Sequence, residues 1–145
     1  MVGLINKQTT LLVILDRKNR LTLLTRLDKY SSTYTTEETV KLLGKLPVKS
    51  ITNDRGKEFM DFKNLMKKVK SPVYFCHPRC PQERGSNENR IGLIRQYIPK
   101  GIDIKSISSK KIKSIERRLN TRPMKCLNWK TPYEVFYNKN IRLVS

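Results

Sequence analysis

Apolar positions along this chain change their period from one segment to the next, and each change marks an element. Thr9 to Leu15 is a continuous, largely apolar run that ends at Asp16. A run without alternation reads as a central strand buried on both faces. Asp16-Arg17-Lys18-Asn19 is a polar turn, and Arg20 to Leu27 resumes a strand with Leu21 and Leu23 alternating, so the two runs predict a hairpin. Tyr30 to Tyr34 is a Ser/Thr-rich loop. Thr35 and Glu38 then have capping-box spacing ahead of Val40, Leu42 and Leu43, which predicts a helix to about Leu46, stopped by Pro47. Val48 to Asn53 reads as a third strand, with Asp54 at its carboxyl end and Arg55-Gly56 as a turn.

Glu58 to Val69 repeats apolar residues at helical spacing, with Phe59, Phe62, Leu65, Met66 and Val69 on one face. Val73 to Phe75 reads as a short buried strand, followed by a loop with Pro78, Pro81 and Gly85. Ile91, Ile94 and Tyr97 mark the next helix. Ser106 to Leu119 predicts another, with Ile112, Ile115 and Leu119 inward and lysines outward. Asn120 to Asn128 is a loop containing Pro123. Thr131 caps a last short helix through Val135 and Phe136, with Pro132 at its first position. Trp129 and Tyr133 are expected in the core, closing that helix, rather than as base-stacking platforms. Strands and helices alternate through the middle, so the expected fold is α/β, a mixed sheet flanked by helices. Residues 1–137 form one domain and 138–145 a C-terminal tail.

Charge narrows the partners. The 145 residues include 31 Lys and Arg against 12 Asp and Glu, a formal net charge of +19. That excess disfavours a small-molecule enzyme and points to a polyanion, DNA or RNA. It is concentrated late in the chain: from Arg90 to Lys130 twelve basic residues face two acids, Asp103 and Glu116. Three cysteines, Cys76, Cys80 and Cys126, suit a reducing compartment. Cys76, His77 and Cys80 lie close together, but a structural zinc site wants four ligands and His77 is the one histidine, so zinc is not expected. The longest apolar run, Leu11 to Leu15, is far too short to span a membrane.

Two carboxylates carry the candidate chemistry. Asp54 ends a strand, and Glu88 opens the helix after the next strand, 34 positions later. A right-handed crossover would bring both strand ends to one edge of the sheet, where the two acids are expected to meet. A carboxylate in a first helical turn is favoured by the helix dipole, and Arg84, Arg90, Arg95 and Lys100 lie around Glu88 in sequence. Phosphoryl transfer on nucleic acid uses carboxylates that hold two divalent ions roughly 3.5–4 Å apart. Magnesium binds through few carboxylates and keeps waters, so no histidine cage is required. The residues equally fit a plainer picture, in which Glu88 is solvated on an amphipathic helix, Asp54 caps its turn, and Glu58 and Asp61 are surface charge.

Three blocks make the pattern specific: SITNDRGKEF (Ser50 to Phe59), ERGSNENRIGLIRQYIPKG (Glu83 to Gly101) and RLNTRPMKCLNWKTPYEVF (Arg118 to Phe136). In this order they resemble the transposases of the insertion-sequence-thirty family, bacterial DDE transposases with a retroviral-integrase-like catalytic core. The resemblance runs from Val2 to Phe136. It implies a ribonuclease-H-like fold, a two-metal site with Mg2+ or Mn2+, and an Asp-Asp-Glu triad whose second Asp matches Asp54 and whose Glu matches Glu88. It further implies DNA contacts by Lys57, Arg84, Asn87, Asn89, Arg90, Arg95 and Lys100, with element ends and target DNA as partners, a homo-oligomer, no membrane or small-molecule substrate, and a place at the bacterial nucleoid in the cytoplasm. The family's first Asp falls just before the stretch that Met1-Val2-Gly3 resembles, and Asp16 is not expected to replace it. The expectation is therefore a truncated, inactive core, without the first metal ligand or the end-binding region. The alternative is a non-catalytic basic protein that binds nucleic acid; a nuclease of the same fold, cutting without joining, is a third.

Overall fold

Both faces of a single strand are buried, and the elements sort themselves by the face they cover. In the computed structural model, which describes residues 10–77 and 85–137, the first apolar run forms β1 (Thr10–Leu15) and pairs antiparallel with β2 (Thr22–Leu27), Thr10 opposite Leu27 and Leu15 opposite Thr22. Successive side chains of a strand alternate sides. Leu11 and Val13 accordingly join Leu24 in a cluster with Ile94, Ile98, Ile104, Ile107, Ile112, Ile115 and Leu119. Leu12 joins Leu27 and Phe59 in a second cluster, with Ile14, Tyr34, Leu42 and Phe75 against it. The first cluster is built from α3 (Gly85–Tyr97), α4 (Ser109–Asn120) and the segment between them, the second from α1 (Ser32–Leu43) and the strands that follow.

Among the described residues the outer edge of β2 has no strand beside it, and side chains of α4 take its place. The Thr22 amide donates to Asn120 Oδ1 at 2.8 Å while Asn120 Nδ2 donates to the Thr22 carbonyl at 2.7 Å. The Leu24 amide donates to Glu116 Oε2 at 2.6 Å. Glu116 and Asn120 are four apart, hence on one face of the helix, and both are buried. Further along, Arg26 Nη1 donates to the carbonyls of Ile107 and Lys105 at 3.0 and 3.3 Å. Ile112, Ile115 and Leu119 face inward as expected. The helix begins at Ser109 rather than Ser106, because 104–106 form a separate tight turn capped by the Asp103 carboxylate, and Ser108 caps α4 through the Lys111 amide.

β3 (Ile51–Asn53) and β4 (Val73–Phe75) pair in parallel, Ile51 with Val73 and Asn53 with Phe75, joined through α2 (Phe62–Val69). Among the described residues the strands thus form two two-stranded ladders, one antiparallel and one parallel. Several expectations shift. β3 starts at Ile51, not Val48, and α2 at Phe62, after a short helical turn at 57–59. Tyr74 is 58% exposed, so β4 is not the fully buried strand its sequence suggests.

α1 starts four residues before the expected capping box. Ser31 is its N-cap, and Thr35 lies inside the helix, donating its hydroxyl to the Ser31 carbonyl at 2.8 Å. Buried threonines satisfy themselves by such back-bonding, as Thr39 does to Thr35. The helix ends at Leu43, where Gly44 takes a φ of +52°, ahead of Pro47. The capping box that does form opens α5 (Pro132–Tyr137): Thr131 N–H donates to Glu134 Oε2 at 2.7 Å, and Glu134 N–H to Thr131 Oγ1 at 3.2 Å. Trp129 is not in the core; it is 71% exposed, while Tyr133 is half-buried. The tail at 138–145, Thr9, and the loop with Pro78, Cys80, Pro81 and Arg84 lie outside the described residues. No described helix is long and apolar enough to cross a membrane.

Replacing Asn120 by Ala leaves a buried donor and a buried acceptor of Thr22 without partners, at about 1–3 kcal/mol each. A urea melt is expected to show a loss of roughly 2–4 kcal/mol, whereas Lys110→Ala on the exposed side changes stability by less than about 0.5 kcal/mol.

Candidate functional site

Asp54 follows β3 directly, at the carboxyl edge of the parallel pair. The Cys76 amide donates to the Asn53 carbonyl at 3.0 Å, extending the ladder by one residue, so the segments leaving β3 and β4 emerge side by side. The Asp54 carboxylate is half-buried and accepts one long hydrogen bond, from the Gly56 amide at 3.3 Å. The turn is pinned across to β4 by Arg55 Nε, which donates to the Cys76 carbonyl at 3.3 Å. Lys57 is exposed beside it.

Glu58, read from sequence as surface charge, is 5% exposed. Its carboxylate folds back over the turn and accepts the Tyr30 hydroxyl at 2.6 Å. A methyl group on Gly56 would overlap that carboxylate as it lies, so a side chain at 56 would displace the Glu58 carboxylate from over the turn. Tyr30 has its pKa raised, first by its hydrogen bond to Glu58, then by burial, by the Glu58 charge and by the Asp54 charge. The phenol therefore senses both acids, and two carboxylates lie at the β3 edge where sequence reasoning placed one. The signal for Glu58 was thin: a carboxylate two positions after a glycine says nothing until the tyrosine is known to face it.

Glu88 lies in the first turn of α3 and is exposed. That turn is anchored to the β1–β2 hairpin. Arg20, at φ +61° where the hairpin closes, donates from Nη1 to Ser86 Oγ at 2.5 Å, and Arg90 Nη2 donates to the Arg20 carbonyl at 3.0 Å. The two carboxylates thus have separate anchors. Asp54 lies beside Tyr30, beyond the end of β2, and the start of α3 is held where β2 begins. Among the described residues neither carboxylate is in a salt bridge, and no group of three or more His, Cys, Asp or Glu gathers as a metal site. Among the described residues Asp54 and Glu88 keep lone pairs and solvent access, which is the donor chemistry magnesium takes from proteins. Asp16 is engaged in its own turn: its Oδ1 accepts the Lys18 and Asn19 amides at 2.7 and 2.9 Å and closes the hairpin.

The DNA contacts expected around Glu88 separate into two kinds. Asn89 and Lys100 are exposed, and Asn87 is half-buried with its Oδ1 buried and without a hydrogen bond among the described residues. Arg90, expected on the DNA face, is buried instead, its guanidinium spent on the Arg20 carbonyl and on Met124 Sδ at 3.5 Å. Burial lowers its pKa, and the neighbouring charges of Arg20 and Arg122 lower it further. Arg95 is half-buried, and burial lowers its pKa too. Arg84 lies outside the described residues.

No family model matches the chain. Curated proteins do. The chain is 49% identical over 89 residues to the transposase of insertion sequence element IS4351 from Bacteroides fragilis, covering 61% of this chain and 27% of that protein. It is 36% identical over 132 residues to the transposase InsI of IS30A from Escherichia coli, covering 89% of this chain and 34% of the relative. The chain thus spans about a third, or less, of the length of the relatives it matches. Among solved structures, a chain of the simian T-cell lymphotropic virus intasome in complex with PP2A regulatory subunit B56 gamma superposes with a TM-score of 0.73 at 15% identity, over 99% of this chain and 54% of that one. The catalytic core domain of BIV integrase superposes at 0.68 and 17% identity, over 90% of this chain and 86% of its own. The fold is therefore ribonuclease-H-like, that of retroviral integrase catalytic cores.

The carboxylate pair at the β3 edge has a direct readout. Tyr30 is expected to titrate above the usual tyrosine value near 10, because ionising it adds charge beside Glu58. Ultraviolet absorbance at alkaline pH should show one phenol missing from the late-titrating signal in Tyr30→Phe, and Glu58→Gln should bring that phenol back toward 10.

Proposed function

We propose that this chain, a homologue of the IS30-family insertion-sequence transposases over about a third of their length, is the phosphoryl-transfer core of such a recombinase, acting on DNA through Asp54 and Glu88. The observation that carries the reading is the state of these two carboxylates. Both are solvent-accessible and free of salt bridges among the described residues, one at the carboxyl edge of a parallel strand pair and one in the first turn of the following helix. A match covering 89% of the chain necessarily includes both positions.

A magnesium or manganese ion held by Asp54 and Glu88 would activate the attacking oxygen and stabilise the leaving one. The protein's own share is to set these two side chains. Arg55 and the Glu58–Tyr30 pair hold the Asp54 turn; Arg20 and Arg90 hold the first turn of α3. Lys57, Asn89 and Lys100, exposed on the same segments, with Asn87, Arg84 and Arg95, would take the phosphate backbone of element ends and target, and a homo-oligomer would bring the ends together. Arg90 serves as the strut beneath them. The reaction class is polynucleotidyl transfer at the bacterial nucleoid. Among the described residues no third acid gathers with Asp54 and Glu88, Asp16 being held in its own turn, and the chain is expected to join DNA ends weakly or not at all.

Manganese binding separates this reading from a non-catalytic basic protein. Followed by electron paramagnetic resonance of the free ion, the intact chain should bind Mn2+, Asp54→Asn and Glu88→Gln should each weaken binding about ten-fold, and the double variant should lose little more, as expected for one shared site. Unchanged Mn2+ binding in both single variants, with DNA binding retained, would favour the non-catalytic protein. A joining assay with cleaved element ends completes the test: abundant joined product from the unaltered chain would overturn its expected inactivity.

A further inference from the structure

The expectation that failed most plainly is Trp129, and its surroundings say what it does instead. Trp129 is 71% exposed and sits at φ +62°, directly after Asn128 at φ +54°. Two consecutive left-handed residues are uncommon, and for a bulky side chain the conformation is unfavourable. It is nonetheless firmly imposed. The Trp129 amide donates to the Met124 carbonyl at 3.0 Å, the Met124 amide to the Lys130 carbonyl at 3.1 Å and the Lys130 amide to the Leu127 carbonyl at 3.1 Å. Beneath the turn, Met124 Sδ accepts from the buried Arg90 guanidinium. A strained, tightly tied turn thus holds a large aromatic surface out in solvent.

The charge around it is of one sign. From 121 to 130 the loop carries Arg122, Lys125 and Lys130, all exposed, and no acid, and Arg117 and Arg118 are exposed on the last turn of α4. Glu134, whose carboxyl senses Lys130, is the nearest acid along the chain. Burial and the charges of Arg20 and Arg122 lower the pKa of Arg90 beneath the loop. Exposed cations on the same short loop as an exposed indole fit a ligand that is anionic along its length and flat and aromatic at intervals.

We propose that Trp129 and the basic loop around it form a stacking platform for an unpaired base of single-stranded or frayed DNA, with Arg122 and Lys125 on the flanking phosphates. The inference rests on the DNA-acting reading above and deepens it: through Met124, Arg90, Arg20 and Ser86 the platform is joined to the turn that carries Glu88. A tryptophan side chain offers its face to any base, so the contact would be tolerant of sequence, whereas the cations make it salt-dependent.

Trp129 is the single tryptophan of the chain, so its own fluorescence reports the contact. A single-stranded oligodeoxythymidylate titrated into the intact protein without metal should quench that emission, more strongly than an equal length of blunt duplex does. Trp129→Leu should weaken binding of the same oligonucleotide, followed by its anisotropy, roughly ten-fold or more, and Trp129→Phe should recover most of it. Trp129→Gly suits the left-handed backbone and should be at least as stable as the parent, so weakened binding in that variant is not a folding defect. The proposal is overturned if the oligonucleotide binds without quenching, or if Trp129→Leu binds as tightly as the parent. It is also overturned if Trp129→Leu instead abolishes self-association of the DNA-free chain, which would make the surface a protein interface. None of these readouts uses metal or joining, so quenching without Mn2+ binding would count against the Asp54–Glu88 site alone, and the reverse against the platform alone.

Discussion

The outer edge of β2, which no described strand covers, is the constraint on which the rest of this molecule depends. Each exposed amide and carbonyl along β2 needs a partner, because a buried unpaired one costs about as much as a hydrogen bond gains. Asn120 answers with both halves of its side-chain amide, and Glu116 with a carboxylate oxygen. Lys113 Nζ, at 3.0 Å from Glu116 Oε2, balances the charge that this places near the core. The arrangement blocks the edge against another chain and fixes α4 in register with β2. Once α4 is fixed, the cluster of Ile112, Ile115 and Leu119 has one way to meet Leu11, Val13 and Leu24, and α3 must lie over the same face.

A second constraint is electrostatic. A chain with a net charge of +19 has few acids to neutralise a buried arginine, yet Arg90 is 3% exposed. A carbonyl and a thioether meet it instead. Dipoles solvate a guanidinium less well than a carboxylate would, which is why its proton affinity falls. In return the one side chain ties α3, the hairpin turn and the 121–130 loop together. Among the described residues Arg90 is in no salt bridge, and its structural use follows from the same shortage of acids as the basic surface of the 121–130 loop.

The strand and helix periods were legible because they follow from burial, and burial is written in the apolar pattern. The two-faced strand at Thr10–Leu15, the inward face of α4 and the Thr131 cap were each read correctly from local sequence. What sequence hid were contacts between residues far apart in the chain. Asn120 looked like the first residue of a loop, since its partner Thr22 is 98 positions away. Thr35 looked like a cap, because a buried threonine that bonds its own helix carries the same letters as one that opens it. Arg90 read as a phosphate ligand and Glu58 as a surface charge, each for want of knowing what lay across from it. Trp129 was assigned inward on hydrophobicity alone, and no local rule announces two consecutive left-handed residues at Asn128 and Trp129.

The candidate site divides along the same line. Its two proposed carboxylates can be named from sequence, since Asp54 follows a strand and Glu88 lies in the first turn of a helix. Their supports were not. Asp54 has one long hydrogen bond of its own, so its direction is set by neighbours: Arg55 clamped to β4, Gly56 bare at the point of closest approach, and Glu58 beneath, held by Tyr30. A carboxylate that bonded strongly to its own loop, as Asp16 does through Oδ1, would be rigid but less free to turn toward a ligand. Placing the rigidity in a second carboxylate leaves the first one free. That division of labour gives the two acids of the loop different tasks, Glu58 buried and held by Tyr30 and Asp54 half-buried with one long hydrogen bond among the described residues.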